Sequence, residues 1–173
     1  QRTAEFTPSL MASDGGEARG EVYGDFVVKK IKPVIDAKYR TKPDKANTAL
    51  VGSSLAGLVT LNMLKQHGDV FGDAAVLTPY LRYNGKPAEA ALGTDLAFLK
   101  GRKLWIDMGD QPGDNYPTDG KPMDDAKAFV AKLAASGLKP DVDFKYVELP
   151  GTAHDEVAWS GRFDQVLTYL YGK

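Results

Sequence analysis

The feature that most constrains this chain is a change of hydrophobic period. Across Thr48-Ala-Leu-Val-Gly52-Ser-Ser54-Leu-Ala56-Gly57 a short apolar run of buried-strand type gives way to a helical repeat, with Leu58, Leu61 and Leu64 at i, i+3 and i+6. Gly-x-Ser-x-Ala stands between the two periods. Ser54 must then occupy a tight strand-to-helix turn, and the residues two before and two after it must be small. Gly52 and Ala56 meet that demand, with Ala in place of the second Gly of the usual G-x-S-x-G. This is the sequence form of a nucleophile elbow. The turn lifts the serine hydroxyl to its crest and aims the next backbone N–H, that of Leu55, at the place where an oxyanion would form. Small residues at this spacing also let a helix pack closely on a strand without any chemistry, so the pentapeptide depends on its context.

That context is an alternation of strand and helix, which predicts an α/β fold with a mostly parallel sheet covered by helices on both faces. Residues 1–22 are polar and Gly-rich without a sustained period and read as loop. Val27, Ile31, Val34 and Ile35 recur at helical spacing between Asp25 and Tyr39, with Pro33 expected to kink or restart that helix. Strands are expected at Thr48–Val51, Ala74–Leu77, Leu104–Met108 and Phe144–Leu149, and helices at Leu55–Gln66 and Asp124–Ser136. Trp159, Phe163, Val166, Leu167 and Leu170 mark one stripe of a closing helix. Between them, Gly109 to Lys121 is a loop rich in Asp, Gly and Pro. No repeat or interdomain linker interrupts residues 1–173, which read as a single domain.

Composition mainly excludes. A formal net charge of −1 gives no reason to expect nucleic acid or an anionic membrane as partner. No apolar run approaches the roughly 18–20 residues that cross a bilayer. Zero cysteines rule out a disulfide scaffold, a thiol nucleophile and cysteine-ligated zinc. Neither a P-loop nor an H-E-x-x-H zinc motif is present, so no cofactor and no metal are expected. The acidic loop lacks the D-x-[DN]-x-[DN]-G spacing of an EF-hand. The chain opens on Gln1 rather than Met, which points to a processed or trimmed N-terminus and leaves an extracytoplasmic location open.

Order along the chain gives the serine its second support. Ser54 follows one expected strand end, the acidic loop follows another, and His154 follows the last within Pro150-Gly-Thr-Ala-His154-Asp-Glu-Val-Ala-Trp159. Functional groups of open α/β sheets collect at the carboxyl ends of strands, and Ser…acid…His is the order expected there. His154 would act as general base toward Ser54 and then as general acid toward the leaving alcohol. The other histidine, His67, sits at a helix end and reads as structural. Trp105 and Trp159 read as core packing, whereas Tyr80, Tyr83 and Tyr116 lie in expected loops and are candidates for substrate contact.

Taken together, Arg2-Thr-Ala-Glu-Phe-Thr-Pro8, Ile31-Lys-Pro-Val-Ile-Asp36 through Tyr39-Arg40, Gly52-Ser-Ser-Leu-Ala-Gly57 and Gly151-Thr-Ala-His-Asp155 with Trp159 resemble the enterochelin esterase and esterase D-like branch of the α/β hydrolases. The resemblance implies a serine esterase acting on a small-molecule ester, with Ser54 as nucleophile and His154 as base. Its members include siderophore, feruloyl, acetyl and general esterases.

Two departures from the family pattern stand out. The family carries an acid three residues after a strand-ending glycine; Gly109 matches that glycine, but Pro112 holds the acid's place. Asp110 lies close to the strand, so Asp114 is favoured as the acid, and a Ser–His dyad without an acid is the remaining option. The chain is also shorter than such a domain, which implies a C-terminal portion that lacks the N-terminal strands and the second oxyanion donor they carry. Thr48–Val51 would then lie near an exposed sheet edge, with a companion segment or chain expected to complete the sheet. The alternative to an esterase is a catalytically lapsed hydrolase-fold binding module.

Overall fold

Period-2 alternation along the central strands decides where the layers go. The structure, a computed structural model, describes residues 1–111 and 121–172. In chain order it contains helices α1 (Arg2–Phe6) and α2 (Gly20–Phe26), a π-helical turn (Val27–Ile31), helix α3 (Lys32–Lys38), strand β1 (Ala49–Ser53), helix α4 (Leu55–Gln66) and strand β2 (Asp73–Leu77). A two-stranded hairpin of β3 (Arg82–Tyr83) and β4 (Lys86–Pro87) and helix α5 (Glu89–Leu92) follow, then β5 (Leu104–Gln111), α6 (Pro122–Ala135), β6 (Phe144–Ala153), α7 (Glu156–Ser160) and α8 (Phe163–Tyr171). Strands β1, β2, β5 and β6 lie side by side in that order, every pair parallel. Ala74 and Val76 of β2 join a core with Leu58, Leu61 and Leu64 of α4 and Phe129 and Leu133 of α6. Ala75 and Leu77 point the other way, into a smaller cluster with Trp105, Val166 and Leu170. Helices thus cover both faces, as a parallel sheet requires.

Helix α4 shows which term wins locally. Ser54 supplies no side-chain cap to its first turn, forgoing about 1 kcal/mol. Leu58, Leu61 and Leu64 are fully buried, each worth roughly 2 kcal/mol. Packing, rather than capping, fixes the helix that leaves the elbow.

Several expectations are corrected. Residues 1–22 are not all loop, because α1 and the start of α2 lie within them. The glycines that lowered helix propensity there permit close approach instead: a Cβ on Gly20 would stand 2.9 Å from the Thr7 carbonyl oxygen. The restart expected at Pro33 is present: α3 begins at Lys32 after the π-turn, with Pro33 in its first turn, where a missing N–H costs no intrahelical bond. The expected closing helix breaks into α7 and α8, leaving Phe163 and Leu167 exposed. Strands β5 and β6 run beyond the expected ends, pairing from Leu104↔Phe144 to Gln111↔Ala153 through an irregularity after Gly109. The hairpin was missed although Asn84-Gly85, both at positive φ, is the usual dipeptide of such a turn.

One apolar face finds no cover among the described residues. β1 is an edge strand with Val51 43% exposed, and Ile31, Val34 and Ile35 on the neighbouring helical segment are 44%, 49% and 42% exposed. Their helical period marks a buried face, yet only Val27 and Val28 of that stretch pack on the core. No helix among the described residues is long and apolar enough to cross a membrane.

Candidate active site

Ser54 has φ 57° and ψ −130°, a combination that L side chains rarely adopt and that persists only where the surroundings impose it. Here they do. The Ser54 N–H donates to the Leu77 carbonyl at 3.0 Å, and the Ser54 carbonyl accepts from Gly57 N at 3.0 Å and Tyr80 N at 3.1 Å. Gly52 serves the turn as expected, and Gly57 adds a second close approach. A Cβ on Gly52 would lie 2.3 Å from the Ala56 carbonyl oxygen, and one on Gly57 would lie 2.6 Å from the Pro79 Cβ. The hydroxyl of Ser54 is not spent on capping α4, although the residue is buried. Leu55 is the first residue of α4, so its N–H is one of the donors a helix leaves without an internal acceptor. The positive end of the helix dipole lies at the same place and favours a developing negative charge.

His154 stands directly after β6, at the far side of the sheet from β1. Three strand spacings of roughly 4.8 Å separate those two strands. The segment after β2 spans the gap, because Tyr80 bonds the elbow through its N–H and stacks its ring on His154, with centroids 5.6 Å apart and 23° between planes. Tyr80 therefore belongs to the core, 6% exposed, rather than to an open loop. Trp159 meets His154 edge-on at 5.2 Å and 83°. The next residue, Asp155, caps α7 by accepting the Ala158 N–H at 2.8 Å. Burial holds the His154 imidazole below its ordinary value of 6.5; Glu156 and Asp155 pull it back up, and Arg162 adds to the lowering. A base kept neutral at pH 7 is what proton abstraction from a serine needs.

The acid expected near His154 divides in two. Asp114, like Tyr116, lies outside the described residues. Asp110 is described, and its Oδ1 accepts the Gly151 N–H at 2.6 Å, tying the end of β5 to β6 three residues before His154. His67 stands at the end of α4 with its Nε2 3.5 Å from Asp25, a structural position as expected.

Sequence reasoning missed a buried polar cluster beneath these groups. Asp107, fully buried on β5, accepts from Arg162 through both oxygens, at 2.9 Å from Nε and 2.7 Å from Nη2. It also accepts the Trp105 indole N–H at 2.8 Å and the Thr78 backbone N–H at 3.0 Å. Arg162 Nη1 donates to the Ala158 carbonyl at 2.6 Å, and the Trp159 indole N–H donates to Thr78 Oγ1 at 2.7 Å. The acid in an otherwise apolar strand, Leu104-Trp-Ile-Asp107-Met, was the available signal, since a buried carboxylate must have partners.

A parallel sheet that holds a strained serine between a strand and a helix, with a histidine after its last strand, defines an α/β hydrolase. Comparison then supplies the family: the chain belongs to the Esterase family ("Putative esterase"), whose model matches residues 10–170. Among solved structures it resembles the BES protein from Bacillus cereus, with 19% identity and TM-score 0.75 over 98% of this chain and 63% of that one. It resembles an IroE-like serine hydrolase from Shewanella oneidensis at 23% identity and TM-score 0.72, over 94% of this chain and 54% of that one. The enterobactin esterase FES from Shigella flexneri shares the fold at 16% identity and TM-score 0.64, over 86% of this chain and 38% of that one. The esterase family expected from the sequence motifs is therefore the right one, and this chain spans less than two thirds of the length of each of these proteins.

Proposed function

We propose that the protein hydrolyses carboxylic esters through an acyl-enzyme on Ser54. Its Oγ attacks the ester carbonyl while His154 takes the hydroxyl proton, and the carbonyl electron pair moves onto oxygen to give a tetrahedral oxyanion. The Leu55 N–H and the start of α4 stabilise that charge. The oxyanion collapses, the alkoxide leaves with the proton from His154, and the acyl group stays on Ser54. Water, activated by the same imidazole, then releases the carboxylic acid and restores the serine. Asp114 is the acid we assign to His154. The observation that carries the reading is the imposed backbone of Ser54, φ 57° and ψ −130°, on a serine whose hydroxyl does not cap its helix.

The open edge of β1 and the apolar face of α3 beside it support a second assignment: a companion segment extends the sheet there and brings the second oxyanion donor. One such donor is worth ~10²–10³ in turnover, so supplying the companion segment should raise turnover by about that factor.

Intact mass after fluorophosphonate treatment tests the first assignment. A single adduct that disappears in Ser54→Ala is the expected result, and no adduct on a folded chain overturns it. Hydrogen exchange at the β1 amides, measured without and with the companion segment supplied, tests the second.

A further inference from the structure

The residue after β2, Thr78, is strained. Its φ is 40°, and a β-branched side chain at positive φ is an outlier even among non-glycine residues. Strain of this kind persists only where neighbours over-determine the backbone. Two neighbours do so. The Thr78 N–H is clamped by Asp107, donating to its carbonyl and its Oδ1, each at 3.0 Å. Its Oγ1 accepts the Trp159 indole N–H at 2.7 Å, and Trp159 in turn rests edge-on against His154. Thr78 itself is 1% exposed, so no water competes for that bond.

Flanking residues of the same segment hold the elbow. Leu77 accepts the Ser54 N–H, and Tyr80 donates to the Ser54 carbonyl. Residues 77–80 therefore grip Ser54 with their first and last members and the histidine's neighbour with Thr78. Behind them, the Asp107–Arg162 pair fastens α7 to β5, because Arg162 also holds the Ala158 carbonyl.

We infer that Thr78 and Trp159, backed by Asp107 and Arg162, are positioning residues that set where the His154 imidazole stands relative to Ser54. Neither touches the reacting atoms. A fixed contact is needed because Ser54 and His154 start from opposite edges of the sheet and nothing within one strand or helix relates them. Misplacing a catalytic group by an ångström slows a reaction by up to ~10²-fold. The inference rests on the esterase reading above for its effect on turnover, but not for the position of His154.

The test uses Thr78→Val, Thr78→Ser and Trp159→Phe. Val keeps the branched shape and removes the acceptor, Ser keeps the acceptor, and Phe keeps a ring without the N–H. Fluorophosphonate labelling of Ser54 is followed against pH, with melting temperature recorded for each variant. Thr78→Val and Trp159→Phe should label on the order of tenfold more slowly with a displaced pH midpoint. Thr78→Ser should stay near the parent, and the Thr78→Val/Trp159→Phe double variant should be no slower than the slower single. Parent-like rates and midpoints in both single variants overturn the inference. So does a Thr78→Ser variant as slow as Thr78→Val, since packing alone would then explain the loss.

The imidazole titration of His154 by NMR, assigned with His67→Gln, separates the two claims. If the folded parent chain takes no label, the esterase reading fails. A His154 midpoint that moves in Thr78→Val and Trp159→Phe and not in Thr78→Ser would still uphold the positioning role; one that stays put in all three would overturn it.

Discussion

The Asp110 carboxylate accepts the Gly151 N–H at 2.6 Å, so the end of β5 is latched to the last residues of β6, just before His154. This carboxylate is occupied in shaping the backbone. Asp110→Asn keeps an oxygen that can accept the same bond, and should label with fluorophosphonate within a few-fold of the parent. Were Asp110 the acid behind His154, the same substitution would cost ~10⁴ in rate. Asp114→Asn should show the large loss instead. Second-order labelling rates for the two variants, compared side by side, decide the assignment.

The Asp107–Arg162 pair is sealed from solvent, with the Asp107 side chain 0% and the Arg162 side chain 7% exposed. Removing one partner strands a buried charge, so Asp107→Ala should lose about 3–5 kcal/mol of stability. Replacing both, as Asp107→Leu with Arg162→Met, should recover part of that loss, because two well-packed apolar groups avoid the desolvation of two ions. Urea unfolding curves check this. Equal losses in the single and double variants would contradict it.

At the elbow, stability and chemistry should part company. Ser54→Gly relieves the positive φ and should raise stability by about 1 kcal/mol while abolishing the adduct. Gly52→Ala should do the reverse for stability: its Cβ meets the Ala56 carbonyl oxygen at 2.3 Å, which is backbone and cannot swing away. A loss of about 3 kcal/mol, or failure to fold, is expected. Thermal melts of the two variants are the measurement.

The labelling rate should rise with pH through a midpoint below 6.5, because burial lowers the His154 value and only the neutral imidazole accepts the proton. Glu156→Gln removes a charge that raises that value, so the midpoint should move lower still. The sign for stability follows. A folded state that resists protonating His154 holds fewer protons than the unfolded chain just below pH 6.5, so this group's contribution falls as pH falls through that window. A midpoint above 6.5, or one shifted upward in Glu156→Gln, would contradict the account.

The elements nearest Ser54 were legible because each rests on a local rule. Helix α4 begins and ends at the expected residues, Leu55 and Gln66, since the period-3.6 leucines and the demand for small residues at Gly52 and Ala56 are both contained within a few positions. The four core strands were found as short apolar runs. What escaped was decided elsewhere in the chain. Gly20 sits in a stretch that reads as loop until the residues that crowd it, Thr7 and Pro8, are known. Trp159 reads as one more apolar position on a stripe until its indole N–H is seen on Thr78.

The sequence by itself determined that a serine would be raised on a strained turn, and that a histidine would follow the last strand of a parallel sheet. Both follow from periodicity and residue size, which act over a turn or two of chain. Only the tertiary structure decided how those two residues, starting from opposite edges of the sheet, are related. Residues 77–80 grip one and stack on the other, and a buried Asp107–Arg162 pair locks the helix behind them. The physical reason is the range of the interactions. Propensity and burial pattern are written residue by residue, whereas hydrogen bonds between side chains 55 and 81 positions apart exist only once the strands have found their order.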